Sequence, residues 1–303
     1  MPISTMLSGK VALVVGASRG IGAGIARELA GHGAHVILAA RTLDHVDAPY
    51  FGRGGPKLPG SLNSTLSQIV ESGGSASVHP VDLLDEESIA QMIGAVSARH
   101  KTIDILANCA MGFPDRYSGS ILDHQQNHWD AMMEVGVRGK YLVTHHVAKM
   151  MTEQNSGLIV NISAGASKID YYHPVFRMAM AAVDRLTEST AFDLQHTGVT
   201  CLSLWPRWVR TEWMLMAAAD NALGIEVSDE DLATSDSPEF TGRAIAYLAA
   251  DPKIKARSGE IIPLVALAHE YGFDDLDGTR PPMDEFTQDW SSRLKQLRAI
   301  TTR

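Results

Sequence analysis

KVALVVGASRGIGAGIARELA, residues 10–30, decides how the rest of the chain is read. It begins with an unbroken apolar run, Val11 to Val15, the pattern of a strand buried on both faces. It ends with Ile21, Ile25 and Leu29 at helical spacing along one face. Gly16, Gly20 and Gly22 stand between the two, with Ser18 and Arg19 inside the turn. Glycines let a backbone turn tightly and come close to a pyrophosphate. A helix start presents unpaired N–H groups and the positive end of its dipole to those phosphates. The position between a first strand and a first helix makes the triplet informative, since the same glycines elsewhere would describe an ordinary turn.

The alternation continues outward from this unit. Strand-like runs recur at 35–40 (HVILAA), 77–81, 103–108 (IDILAN), 157–163 (GLIVNIS), 199–205 (VTCLSLW) and 260–265 (EIIPLV). Helical patterns lie between them near 61–72, 86–100, 128–152, 175–196 and 238–250. Apolar strands each followed by a helix predict an α/β fold, a doubly wound parallel sheet of about seven strands of the Rossmann type. One domain over residues 1–265 accounts for the pattern, with no repeat or linker that calls for a second. A Gly- and Pro-rich stretch, 42–60, reads as an inserted surface loop. The segment 206–237 reads as a long loop, and its Trp208, Trp213, Met214 and Met216 suit contact with a bulky apolar substrate, as a substrate loop would make. The polar tail 266–303 is expected to wrap the domain or meet a neighbouring subunit.

Composition narrows the partners. With 26 Lys and Arg against 35 Asp and Glu, the net charge is −9, and no basic run appears. Nucleic acid and anionic membrane surfaces are not expected, because phosphate binding on that scale needs clustered cations. No apolar run is long enough for a membrane span and no secretory signal is visible, which leaves a cytoplasmic location by default. Cys109 and Cys201 lie in or beside apolar runs and read as buried structural thiols. His124 and His128, and the His145–His146 pair, lack a carboxylate or Cys partner set and read as non-metal.

The spacing Gly16-x3-Gly20-x-Gly22 resembles the short-chain dehydrogenase/reductase family, and the resemblance covers about residues 8–265. It implies a bound dinucleotide, with Ile21 in the glycine turn. It also implies that Asp82, next to Leu83, is the adenine-contacting Asp, and that Asn108 is the first Asn of Asn-Asn-Ala-Gly. Ser163 matches the catalytic Ser. Pro206 matches the Pro of a Pro-Gly turn, and Thr211, with Val209 in the same stretch, matches the Thr near the cofactor. The second strand ends in Ala40-Arg41 and not in a carboxylate. An Arg there suits a 2′-phosphate, and Arg19 adds a nearby charge, so NADP(H) is expected over NAD(H).

The resemblance also implies a Tyr proton donor and a Lys four residues later, on one face of a helix. Those positions fall on Phe176 and Met180. The second Asn of the Asn-Asn motif is Cys109, and the Gly after Pro206 is Arg207. The Asn that normally faces the site from the fourth long helix aligns with Glu134.

Three functions follow. In the first, an NADP(H) oxidoreductase with a non-standard active site acts on a bulky apolar small molecule. Phe176, Met180, Arg207, Trp208 and Trp213 shape its pocket, and Glu134, Ser163 or a loop residue among Tyr171, Tyr172 and His173 assists the proton. In the second, Glu134 and Ser163 perform non-redox lyase, hydratase or isomerase chemistry. In the third, the chain is a catalytically silent nucleotide-binding subunit or sensor. Glu134 could equally pair with Arg138, Arg177 or Arg207. Met and Ala runs on the helices near 128–152 and 175–196, with the resemblance, imply a homodimer or homotetramer.

Overall fold

In a computed structural model the chain is described over residues 5–44, 58–112, 119–123, 126–165, 172–219 and 226–301. Most of the expected insert (45–57), part of the substrate loop (220–225), Tyr171 and His124 lie outside the described residues.

The strands are β1 (Val11–Val15), β2 (His35–Ala40), β3 (Ser75–Pro80), β4 (Ile105–Asn108), β5 (Gly157–Ile162), β6 (Val199–Trp205) and β7 (Ile261–Pro263). They form one parallel sheet in the order β3-β2-β1-β4-β5-β6-β7. The order reverses between β1 and β4, so the strand ends there open a crevice at the carboxyl edge. Apolar residues point to both faces, as buried parallel strands require. Ala12 and Val14 pack on one side with α1 (Gly20–Gly31) and α9 (Pro238–Ala250). Leu13 and Val15 pack on the other with α3 (Glu86–His100) and α5 (Lys140–Gln154).

Local signals set the remaining helices. Ser61 caps α2 (Leu62–Glu71) in a reciprocal box with Ser64. The backbone of 62 and 63 bonds to the carbonyls of 42 and 43, so the base of the insert is pinned shut. The long helix expected near 128–152 is divided. A short α4 (Gln126–Trp129) leads into a π-helical stretch, Asp130–Gly139, and then α5. His173 caps α6 (Pro174–Asp193), with Pro174 pre-set at its first position. The substrate segment carries α7 (Glu212–Ala219) and α8 (Asp229–Thr234).

The tail folds back onto its own domain. It forms α10 (Leu264–Tyr271) and α11 (Glu285–Thr301). Trp290 donates to the Ile261 carbonyl at 2.7 Å and lies 4.9 Å from the Trp205 ring. The tail thus wraps the domain at this point, covering the aromatic face with which Trp205 closes β6. No described helix is long and apolar enough to cross a membrane.

Candidate active site

The glycine turn is forced by crowding. A side chain at Gly22 would meet the Gly16 carbonyl oxygen at 2.1 Å. One at Gly16, where φ is +96°, would meet the Ala110 backbone at 2.7 Å. The turn thereby brings the start of α1 against the ends of β1 and β4. No side chain of the N-cap residue, Arg19, satisfies the first amides of α1.

A cavity of about 1220 Å³ opens from this turn. That exceeds the usual ~300–1,000 Å³ of a small-molecule site. Gly16, Ser18, Arg19, Gly20, Ile21 and Gly22 line one end. Arg41 lines it at the end of β2, and Asp82 and Leu83 follow β3. Pro206, Val209 and Thr211 line the wall that follows β6. The same space continues to Ser163, Tyr172, Phe176, Met180, Arg207, Trp208 and Trp213.

Two expected residues lie elsewhere. Asn108 is fully buried, and its amide nitrogen donates to Thr144 Oγ1 at 2.9 Å and to Asn161 Oδ1 at 3.1 Å. Asn161 in turn donates to Thr187. Asn108 thus ties α5, β4, β5 and α6 together from inside the core, and the lining at that strand end begins with Cys109. Glu134 is not part of the lining, and Val135 stands there instead. The π-helical turn is wider than an α-helical one, so residues within it are rotated from where an α-helical register would aim them.

Two arginines are held more firmly than the sequence indicates. Arg19 donates from Nε to the Pro59 carbonyl at 2.9 Å and from Nη2 to the Gly60 carbonyl at 2.7 Å, clamping the end of the insert. Arg207 donates to the Thr234 carbonyl at 2.5 Å and lies 3.3 Å from Asp236. Burial pushes the Asp236 carboxyl up to about 7, with Arg207 only partly opposing it. The Val209–Asp236 bridge fixes the same spot, so Arg207 serves the base of the substrate segment.

Helix α6 is fixed from below by Asp184, a buried carboxylate that accepts from Ser203 Oγ at 3.0 Å and from the Trp205 indole at 3.1 Å. This sets Phe176 and Met180 over the end of β5. Ser163 Oγ donates to the Met180 carbonyl at 3.2 Å and lies 3.8 Å from its sulfur. Phe176, Met180, Met132 and Val175 make an apolar cluster, with Tyr172 and Trp213 packed against it. Tyr172 has a φ of +67°, a region non-glycine residues rarely occupy. Its ring lies 5.1 Å from Phe176, edge to face, and 6.1 Å from Trp208.

Four features escape a reading by motif. Glu212, directly after Thr211, lines the cavity. Asp284, Phe286 and Thr287 bring the tail into it. Cys109 also lines it, and burial pushes its thiol up to about 11, so it stays protonated and unreactive near neutrality. Lys140 is 1% exposed, and its Nζ donates to the Ile162 carbonyl at 2.5 Å, just behind Ser163. The sequence held a signal for Glu212, in its place beside an expected cofactor residue, and for Cys109, in its place at the second position of the Asn-Asn motif.

A glycine-turned helix at the reversal point of a doubly wound sheet, opening on one shared cavity, is the architecture of a nucleotide-binding α/β protein. Comparisons with known proteins define the family. A profile described as Enoyl-(Acyl carrier protein) reductase matches residues 57–264, and one described as short chain dehydrogenase matches residues 10–50. The chain is 31% identical over 290 residues to Dehydrogenase/reductase SDR family member 1 of Mus musculus, covering 93% of this chain and 87% of that one. Two solved structures share the fold. A single-site variant of actinorhodin polyketide ketoreductase with NADPH has a TM-score of 0.69 at 26% identity, covering 86% of this chain and 97% of that one. A metagenomic short-chain oxidoreductase in complex with NADP has a TM-score of 0.66 at 28% identity, covering 85% and 98%. This chain belongs to the short-chain dehydrogenase/reductase family.

Lys140 provides a test of the buried polar floor. Burial pulls its amine down to about 8 from the ordinary 10.5, against opposing pulls from Cys109 and Asp184. Between those pH values the unfolded chain holds more protons than the folded one, so this residue makes stability rise with pH there. Denaturant unfolding of Lys140→Met should lose that rise between about pH 8 and 10.5. An unchanged pH slope would show that the amine titrates normally.

Proposed function

We propose that this chain is an NADP(H)-dependent oxidoreductase that acts on a bulky apolar small molecule with a non-standard proton donor. The observation that carries the reading is the continuity of the cavity. One space runs from the glycine turn and Arg41 to Ser163 and the aromatic wall. The donor set suits a dinucleotide. The crowded glycines leave room only for backbone against a pyrophosphate, and the start of α1 offers it amides. Arg41, at the end of β2, offers a guanidinium to a 2′-phosphate, and no carboxylate ends that strand to favour an unmodified ribose. Bound there, a reduced nicotinamide supplies hydride. The family relationship and the NADPH and NADP named for the two structural neighbours support the same assignment.

The chain's own residues must then manage a proton and exclude water. Phe176 and Met180 present hydrocarbon and sulfur where a phenol and an ammonium are expected, so they can shield but not donate. Ser163 donates its proton to the Met180 carbonyl and so offers its oxygen lone pairs to a substrate hydroxyl. Tyr172 is the single phenol among the described residues of the lining. A backbone held in a costly region beside a reaction space is a mark of function, and here it aims a phenol into the aromatic wall. We assign the proton to Tyr172. The non-redox alternative, a lyase, hydratase or isomerase using Glu134 and Ser163, draws less support, since Val135 and not Glu134 is among the described residues of the lining.

A homodimer or homotetramer belongs to the same proposal. Tyr141 on α5 and Met178 and Phe192 on α6 are 53%, 49% and 69% exposed, which is apolar area that a second copy would cover.

Three measurements check this reading. Fluorescence titration should show NADPH binding more tightly than NADH. Arg41→Ala should weaken NADPH by about 10- to 100-fold, the worth of a charge-assisted contact, while leaving NADH unchanged. Equal weakening of both would remove the 2′-phosphate role. Tyr172→Phe should bind NADPH normally yet lose NADPH oxidation with bulky apolar carbonyl substrates. Wild-type turnover in that variant would clear Tyr172. Sedimentation velocity at micromolar concentration should show a dimer or tetramer, and a monomer would contradict the assembly.

A further inference from the structure

Glu212 spans the two halves of the cavity. Its Oε2 accepts from the Gly20 amide at 2.8 Å, a contact between residues 192 positions apart. Gly20 is the first residue of α1, and α1 has neither a side-chain cap nor an acidic residue in its first turn. The helix therefore takes its negative partner from across the cleft. A carboxylate is favoured there for the same reason a phosphate is, namely unpaired amides and the positive end of the dipole.

The segment that carries Glu212 is built to deliver it. Thr211 Oγ1 caps α7 through the Met214 amide at 3.3 Å. The Thr211 methyl sits 3.3 Å from where a side chain on Gly20 would begin, and Gly20 has a φ of +55°. Below this point the segment is tied down, since the Arg210 amide donates to the Asp236 carbonyl at 2.9 Å and the Asp236 amide to the Trp208 carbonyl at 2.8 Å. Trp213 and Met214 follow Glu212 and form part of the cavity wall. The position of the Glu212 carboxylate and the position of that wall are therefore one variable.

We propose that Glu212 is an internal stand-in for the pyrophosphate. Its carboxylate holds the start of α1 while the nucleotide is absent, and the entering dinucleotide phosphate displaces it. This rests on the reading that the glycine turn is the pyrophosphate cradle. Two anions cannot share the Gly20 amide, so phosphate entry forces Glu212 out and moves α7. Trp213 and Met214 move with it. Glu212 is thus a positioning residue that makes the substrate wall depend on the nucleotide. Substrate recognition is completed only after the dinucleotide is seated, which gives an ordered binding sequence. The same competition weakens nucleotide affinity.

The test uses the full chain, with NADP⁺ as the probe. Calorimetric titration should show Glu212→Gln and Glu212→Ala binding NADP⁺ about three- to tenfold more tightly than wild type, in keeping with removal of a competing charge at a helix start. Amide hydrogen exchange should show NADP⁺ changing the exchange of residues 212–219 in the wild type and not in Glu212→Ala, where the segment is already released. Equal or weaker NADP⁺ binding by both variants, with the wild type binding, would overturn the stand-in role and leave the nucleotide site intact. Wild-type exchange at 212–219 that ignores NADP⁺ would also overturn it. No NADP⁺ binding by any of the three proteins would overturn the nucleotide reading itself, and the stand-in with it.

Discussion

The first-turn amides of α1 have no acceptors inside their own helix, and the fold sets them at the one place where the sheet changes direction. β1 must be central for its end to adjoin the reversal. Gly16 and Gly22 must lack side chains for the turn to close against Ala110 and against itself. What results is a fixed patch of positive potential facing a cavity, and an unmet donor at such a site attracts an anion. In this structure Gly20 meets a carboxylate of the chain's own, and that contact links the nucleotide site to the substrate wall.

The far half of the cavity follows a different logic. Helix α6 is clamped to β6 by Asp184, Ser203 and Trp205, so the positions of Phe176 and Met180 are set by the core rather than by a ligand. The hydrocarbon there joins Met132 and Val175 in a small apolar cluster. Polar capacity survives at its margins, in Ser163 on β5's end and Tyr172 at the foot of α6. The tail adds Phe286 and Thr287 from the opposite side. The chamber therefore presents hydrocarbon at its centre and polar groups at its edge.

Much of this was legible in the sequence, for identifiable reasons. The end of β1 is marked by a glycine turn after an unbroken apolar run, and the end of β2 by the run Val36 to Ala40. Gly16 to Gly22, Arg41 and Asp82 all reach the cavity as the motif spacing implied. What was not legible shares a cause, which is that side-chain direction depends on geometry a linear pattern does not carry. Glu134 lies in a π-helical stretch, where α-helical counting does not fix its face, and Val135 lines the cavity there. Asn108 is spent on a core network with Thr144 and Asn161. Arg207 lines the cavity as expected, but its guanidinium also reaches Asp236 and Thr234, which no linear pattern indicates. Lys140 gave no warning at all, because a lone lysine among apolar residues reads as a surface position until the helix is placed. The tail looked polar because its buried and half-buried apolar residues, among them Phe273, Trp290 and Leu294, are spread singly among polar ones.

The central claim is that the start of α1 receives a dinucleotide whose other end reaches Ser163. Backbone-amide NMR of the full chain, titrated with NADP⁺, tests it most directly. The account predicts saturable shifts centred on residues 16–22, 41, 82–83 and 163, together with 211–214 on the facing wall. Saturable binding that leaves the amides of residues 16–22 unmoved would contradict it.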